Sequence, residues 1–148
     1  MRYTLTSLVV SRNKLVAPKS KIEQLEQGLL LDNLPEPYCP LVHTFSDGVY
    51  VREITMPSGS LILGKEHTTK HLNMISKGSC ILYDLDTGTT KDIIAPYTFE
   101  SKAGVRKVLY VVDECVWSTI HITTETDISK LEQTLTRDSD VYKQLRNE

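Results

Sequence analysis

The stretch Gly59-Ser60-Leu61-Ile62-Leu63-Gly64-Lys65-Glu66-His67-Thr68-Thr69-Lys70-His71-Leu72-Asn73-Met74-Ile75-Ser76-Lys77-Gly78 holds two of the four His in a chain of 148 residues. Imidazole is the side chain best suited to metal ligation and to proton transfer near neutral pH. Apolar, β-branched-rich runs on either side of the pair predict strands over Ser60–Leu63 and Leu72–Ile75. Side chains at i and i+2 share one face of a strand, so Lys65 and His67 point the same way. His71 opens the following strand with Asn73 on its face.

Outward from this segment the chain reads as short strands punctuated by turns. Leu41–Phe45 and Val49–Met56 flank Ser46-Asp47-Gly48, a hairpin signal. Leu72–Ile75 and Ser79–Asp84 flank Ser76-Lys77-Gly78, read as a turn, and Asp86-Thr87-Gly88 follows. Lys91–Ile94, Tyr97–Phe99, Val105–Val112 and Cys115–Thr123 complete the series, with Asp113-Glu114 read as a tight turn. About eight or nine short strands at near-regular spacing argue for an all-β sandwich or barrel. In Cys115–Thr123, alternation sets Trp117, Thr119 and His121 on one face and leaves open whether that face is inward.

The flanks differ in texture. Thr4–Val10 is rich in β-branched residues and predicts a first strand. Ser20-Lys21-Ile22-Glu23 has the capping-box pattern, and Ile22, Leu25 and Leu29 follow at helical spacing, so a short helix runs from Lys21 to about Leu31. Pro35, Pro37 and Pro40 enforce an extended linker. Asp127–Leu135 predicts a second helix, apolar at Ile128, Leu131 and Leu135, and the polar last dozen residues extend it or fray. The organisation expected is an N-terminal strand, helix and linker over 1–40, a barrel over 41–124, and a helix and tail over 125–148.

Composition narrows the function classes. Seventeen Lys plus Arg against nineteen Asp plus Glu give a net charge of −2, which argues against a general grip on a nucleic-acid polymer or an anionic membrane. No run approaches the ~18 apolar residues of a membrane span, and Leu8-Val9-Val10 is too short for a signal-peptide core. Cys39, Cys80 and Cys115 are widely spaced with no CxxC pair, so they read as reduced, buried thiols of a cytoplasmic protein. Phosphate loops, GxGxxG, GxSxG, HExxH and EF-hand patterns do not occur. Asp84 and Asp86 read as turn residues rather than paired catalytic carboxylates.

The Gly59–Gly78 segment resembles the first motif of the cupin superfamily: Gly, five residues, His, any residue, His, three or four residues, Glu, six residues, Gly. Gly59, His67 and Gly78 fall in place, whereas Lys65 stands at the first His and His71 at the Glu. Lys102-Ala103-Gly104-Val105-Arg106-Lys107 fits the frame of the second motif, with Lys102 for its Pro and Lys107 for its His. The stretch HTTKHLNMISKG, with TFESKAG and VWSTIH, looks more specifically like small cupin-domain proteins of bacteriophages over roughly residues 20–135. The resemblance implies a single cupin-type double-stranded β-helix, or jelly-roll, barrel with short N- and C-terminal helices, and with Lys65 and His67 near its mouth. It also implies the cytoplasm of an infected host, with virion association as an alternative location.

Three functional readings follow. In the first, His67, His71 and His121 hold a divalent transition metal such as Zn, Fe, Ni or Mn. In the second, Lys65, Lys70, Arg106 and Lys107 form a cationic cup around the imidazoles. Asn73, Tyr110 and Trp117 complete that cup, which takes a small anion: a carboxylate, a sugar phosphate, or a nucleotide captured as a host defence signal. In the third the barrel is inert and acts through its surface as an oligomeric adaptor or virion accessory. No His–carboxylate pairing assigns a catalytic residue, and His43 reads as a bystander.

Residues 1–22 hold Arg2, Arg12, Lys14, Lys19 and Lys21 with no acid, whereas 113–140 hold seven acids against Lys130 and Arg137. Solvated surface explains this; so does attraction between the two ends, within one chain or across a dimer. With the resemblance to cupins, the second explanation predicts a homo-oligomer. Light scattering should then return a multiple of the 16.8 kDa chain mass, and a single chain mass contradicts the expectation.

Overall fold

The computed structural model describes residues 20–32 and 35–146, and the strand expected at Thr4–Val10 lies outside them. In chain order the elements are α1 (Lys21–Leu31), β1 (Leu41–Ser46), β2 (Val49–Met56), β3 (Leu61–Leu63), β4 (Glu66–His67) and β5 (His71–Asp84). There follow β6 (Thr89–Ile94), β7 (Tyr97–Ser101), β8 (Val108–Ile122), α2 (Ile128–Leu135), β9 (Thr136–Arg137) and α3 (Asp140–Arg146). β5 and β8 form one antiparallel ladder from Leu72 opposite Ile120 to Tyr83 opposite Val108. β2 and β3 pair with β8, β6 and β7 pair with β5, β1 pairs with β2, and β4 and β9 form a separate small pair.

This ladder corrects two expectations. Ser76–Gly78 is not a turn between two strands and Asp113-Glu114 is not a tight turn; both lie inside single long strands, facing each other across an irregular stretch of the ladder. The register shifts between Ile75 and Cys80. Gly78 sits at φ +85°, and a Cβ there would lie 2.0 Å from the Glu114 carbonyl oxygen. Lys77 Nζ meets Glu114 Oε1 at 3.0 Å, and Ser79 Oγ donates to Asp113 Oδ2 at 2.9 Å. Gly, Ser, Asp and Lys mark turns in a lone sequence, but a β-bulge needs the same residue types.

The bulge also switches which residues face inward, from His71, Asn73 and Ile75 before it to Cys80 after it. Each long strand therefore serves two sheets. The first half of β5 and the second half of β8 pair with β7 and β2, and β2 pairs with β1. The remaining halves pair with β6 and β3. Ile54, Met56, Ile62, Ile75, Ile93, Leu109, Val111 and Trp117, drawn from both sheets, form one apolar core. The result is the all-β, jelly-roll architecture with short flanking helices that the sequence predicts.

At the N-terminal side α1 begins where expected, with Ser20 Oγ accepting from the Glu23 amide at 3.2 Å. The tail departs from expectation: it neither extends α2 nor frays, but turns through β9 into α3. Val141, Tyr142 and Leu145 give α3 an apolar face that buries Leu30 of α1. Among the described residues no helix is long and apolar enough to cross a membrane.

The bulge sets a stability prediction. Gly78→Ala should lower the urea-unfolding free energy by more than ~2 kcal/mol, since it adds overpacking to the cost of a positive φ. Gly59→Ala, at φ +83° but with nothing within 4 Å of the new Cβ, should cost only ~1 kcal/mol. Equal losses in the two variants would contradict the role given to the Gly78–Glu114 approach.

Candidate functional site

Strand register stacks the inward side chains of one sheet into three rows. Ile54, Trp117, Ile75 and Tyr97 lie across from one another in the lowest row. Arg52, Thr119, Asn73 and Phe99 form the next. Above them Tyr50 pairs with His121, and His71 with Ser101. The interior thus runs from apolar to polar within about three residue steps along each strand. Asn73 sits at the boundary: its Oδ1 accepts from Trp117 Nε1 at 3.0 Å, and its Nδ2 donates to Ser101 Oγ at 2.8 Å.

The polar end gathers the three imidazoles. His67 arrives from β4, held by the Gly104 amide donating to its carbonyl at 2.8 Å and by pairing of β4 with β9. His71 opens β5 and His121 nearly closes β8. Ring centroids are 4.3 Å apart for His67–His71, 4.9 Å for His71–His121 and 5.7 Å for His67–His121. The three residues are only 3%, 4% and 3% exposed for His67, His71 and His121. His67 Nδ1, His71 Nε2, His121 Nδ1 and Thr119 Oγ1 are buried without a hydrogen-bond partner among the described residues. Such orphaned polar atoms cost roughly 1–3 kcal/mol each, so four together need a physical reason.

Electrostatics keeps the rings neutral. Burial is the largest cause in all three and drives His67 far below the usual imidazole range, with His71, Lys107 and His121 adding to it. Burial also lowers His71, and it lowers His121 to about 4 with help from His71 and Arg52. His71 Nδ1 lies 2.9 Å from the Thr69 carbonyl. A neutral ring making that bond carries its proton on Nδ1, which leaves a free lone pair on the buried Nε2.

A cavity of about 310 Å³ opens against His67 and His121, bordered by Tyr50, Arg52, Lys65 and Leu131 of α2. A larger open groove of about 940 Å³ runs past Tyr83, Asp84 and Arg137 and is lined by no imidazole.

Of the residues singled out from sequence, His67, His71, His121 and Asn73 converge in the barrel, and Lys107 stands with its Nζ 6.0 Å from the Phe99 ring centre. Lys65 borders the cavity, with its ammonium 3.3 Å from Asp138. The others lie elsewhere. Lys70 is 67% exposed at its side chain and pairs with Glu100 outside the barrel. Tyr110 alternates with buried Leu109 and Val111 and faces out. Arg106 is committed to Glu26 and the Gly64 carbonyl, and Trp117 is buried in the core. His43, set aside as a bystander, has its Nδ1 2.7 Å from the Tyr50 hydroxyl. Tyr50 and Arg52 were missed; alternation of Tyr50, Arg52, Ile54 and Met56 along β2 was the signal that could have found them.

Three neutral imidazoles with unpartnered nitrogens fit a transition metal in number and donor chemistry. Rings radiating from one ion with bonds of ~2.1 Å have centroids roughly 4.6–5.3 Å apart, close to the spacings here. Among the described residues no set of three or more His, Cys, Asp or Glu is already disposed as a cage, so the rings must turn to share an ion.

No protein-family model and no curated protein matches the chain. Solved structures similar to it include a cupin domain from Bordetella pertussis, 18% identical, covering 62% of this chain and 100% of that one at a TM-score of 0.48. A cupin superfamily protein from Desulfitobacterium hafniense is 15% identical, over 80% and 96% of the two chains, at 0.48. An acetylacetone dioxygenase from Acinetobacter johnsonii is 13% identical, over 78% and 72%, at 0.49. At these identities and scores the likeness conveys no ligand, activity or residue role.

The neutral rings predict a pH dependence in metal-free protein. The unfolded chain protonates its His near pH 6.5, whereas the folded rings stay neutral to lower pH. Stability is therefore full above pH 6.5 and falls as pH drops toward 5, at up to ~1.4 kcal/mol per pH unit for each His. Thermal melts from pH 7 to 5 should show this slope, and a His67→Asn/His71→Asn/His121→Asn variant should flatten it. A wild type with pH-independent stability across that window contradicts the assignment.

Proposed function

We propose that the barrel mouth is a transition-metal site, with His67, His71 and His121 as the protein ligands. One observation carries the reading: three buried, neutral imidazoles within 4.3–5.7 Å of one another, each with a ring nitrogen lacking a partner among the described residues. Metal ligation uses the neutral, deprotonated nitrogen, so burial has already done the work that protons would otherwise oppose. The hydrogen bond from His71 Nδ1 to Thr69 leaves the lone pair on Nε2. A bound divalent ion would supply Lewis acidity next to the cavity. The chain itself orients the ligands, keeps bulk water from the rings through α2, and binds a small molecule against Tyr50 and Arg52. The phage origin stays part of this reading, on the sequence likeness of residues 67–78, 98–104 and 116–121 to phage cupins.

Elemental analysis of untagged protein purified from zinc-, iron-, nickel- and manganese-supplemented cultures tests this. One transition metal per chain is expected, with affinity reduced on the order of 100-fold or more in His71→Ala. Protein that stays metal-free after supplementation, or a His71→Ala variant that holds metal as tightly as wild type, overturns it.

A further inference from the structure

Strand β1 lies at one end of the main sheet, with β2 on one side and, among the described residues, no strand on the other. Hydrogen bonding in an antiparallel pair alternates, so each position on β1 turns its N–H and C=O either to β2 or away from it. The Thr55 amide donates to the Pro40 carbonyl at 3.0 Å, and the register sets Val42 opposite Glu53 and Thr44 opposite Val51. Across β2, the Thr123 amide donates to the Gly48 carbonyl at 3.0 Å, which commits the even positions of β2 to β8 and the odd ones to β1. Val42, Thr44 and Ser46 therefore bond to β2, and the backbone groups of Leu41, His43 and Phe45 point off the edge. Pro40 lacks its N–H on the β2 side, so it does not interrupt the free edge.

Free edges are ordinarily guarded by charge, proline or a covering segment. β6, at the other end of the sheet, carries Lys91 and Asp92. β1 reads Leu-Val-His-Thr-Phe-Ser with no Asp, Glu, Lys or Arg, and Leu41, Val42 and Phe45 are exposed at 38%, 52% and 37%. We propose that this edge is an interface between two copies of the chain, with β1 pairing antiparallel to β1 of the partner about a two-fold axis at His43. Leu41 then faces the partner's Phe45 and His43 faces its own copy, so the positions whose backbone groups are free meet only one another. On the outer face Val42 lies opposite the partner's Thr44. Both strands have the same sequence, so a strand of net charge would repel its own copy, and β1 has no such charge. Leu41 also lines the cavity before His67 and His121, which brings the partner's Phe45 to the rim of the candidate site. The proposal does not rest on the metal reading.

Light scattering and sedimentation of the full chain at about pH 7.5, where the His43 rings are neutral, provide the test. Wild type should run at an even multiple of the 16.8 kDa chain mass. Val42→Lys/Thr44→Lys, which sets ammonium against ammonium across the axis, should halve that mass. Val42→Lys/Thr44→Glu, which sets each ammonium against a carboxylate, should restore it. Amide hydrogen exchange at Leu41, His43 and Phe45 should be slower in wild type than in the double-Lys variant, and matching circular dichroism confirms that both variants fold. Wild type at a single chain mass overturns the proposal, even if those three amides are protected, since other residues of the same chain then cover the edge. An oligomer that persists in Val42→Lys/Thr44→Lys overturns it too, as does dissociation of Val42→Lys/Thr44→Glu to the same extent as the double-Lys variant.

Discussion

The close approach of Gly78 to the Glu114 carbonyl is the constraint on which the rest of the molecule depends. A side chain at that position has no room, and with glycine there the two long strands bulge against each other and bend into both sheets. The same bulge sets the parity of β5. Because strand side chains alternate with a period of two, one extra residue reverses every position beyond it. Without the shift, His71, Asn73 and Cys80 would not all face inward. The site is therefore a consequence of backbone geometry at some distance from it.

A second consequence is the division of the interior. Trp117 and its row belong to the apolar core, while Tyr50, His71 and His121 form a buried polar end. Asn73 is fully buried and joins the two, satisfying the indole N–H below and the Ser101 hydroxyl above. Its bonds are complete, which marks it as a positioning residue. The imidazoles and Thr119 have incomplete bonds, and that contrast locates the functional end of the barrel. Clasps between distant segments support it: Arg106 on Glu26, Ser139 also donating to Glu26, and Lys65 on Asp138.

Much of this was legible in the sequence where the signal is local. The Ser20 cap and α1, the Ser46-Asp47-Gly48 hairpin and β2 follow from residues within a few positions of one another. The errors came where a residue's role depends on a partner far along the chain. Gly78 and Asp113-Glu114 look like turns until each is set opposite the other. Tyr110 and Trp117 were equal candidates for lining the cup, since alternation along one strand does not say which face is buried. Lys107 was legible as a departure from the cupin pattern. Its lack of an acidic partner among the described residues was not, because that depends on Glu26 and Asp138 being occupied with other cations.

The central claim is that the three imidazoles act together on one ion, and X-ray absorption of the zinc-reconstituted protein tests it most directly. The account predicts three imidazole nitrogens at ~2.0–2.1 Å in wild type and one fewer in His71→Ala. A zinc shell with fewer than three imidazoles in wild type, or one unchanged by His71→Ala, would contradict it.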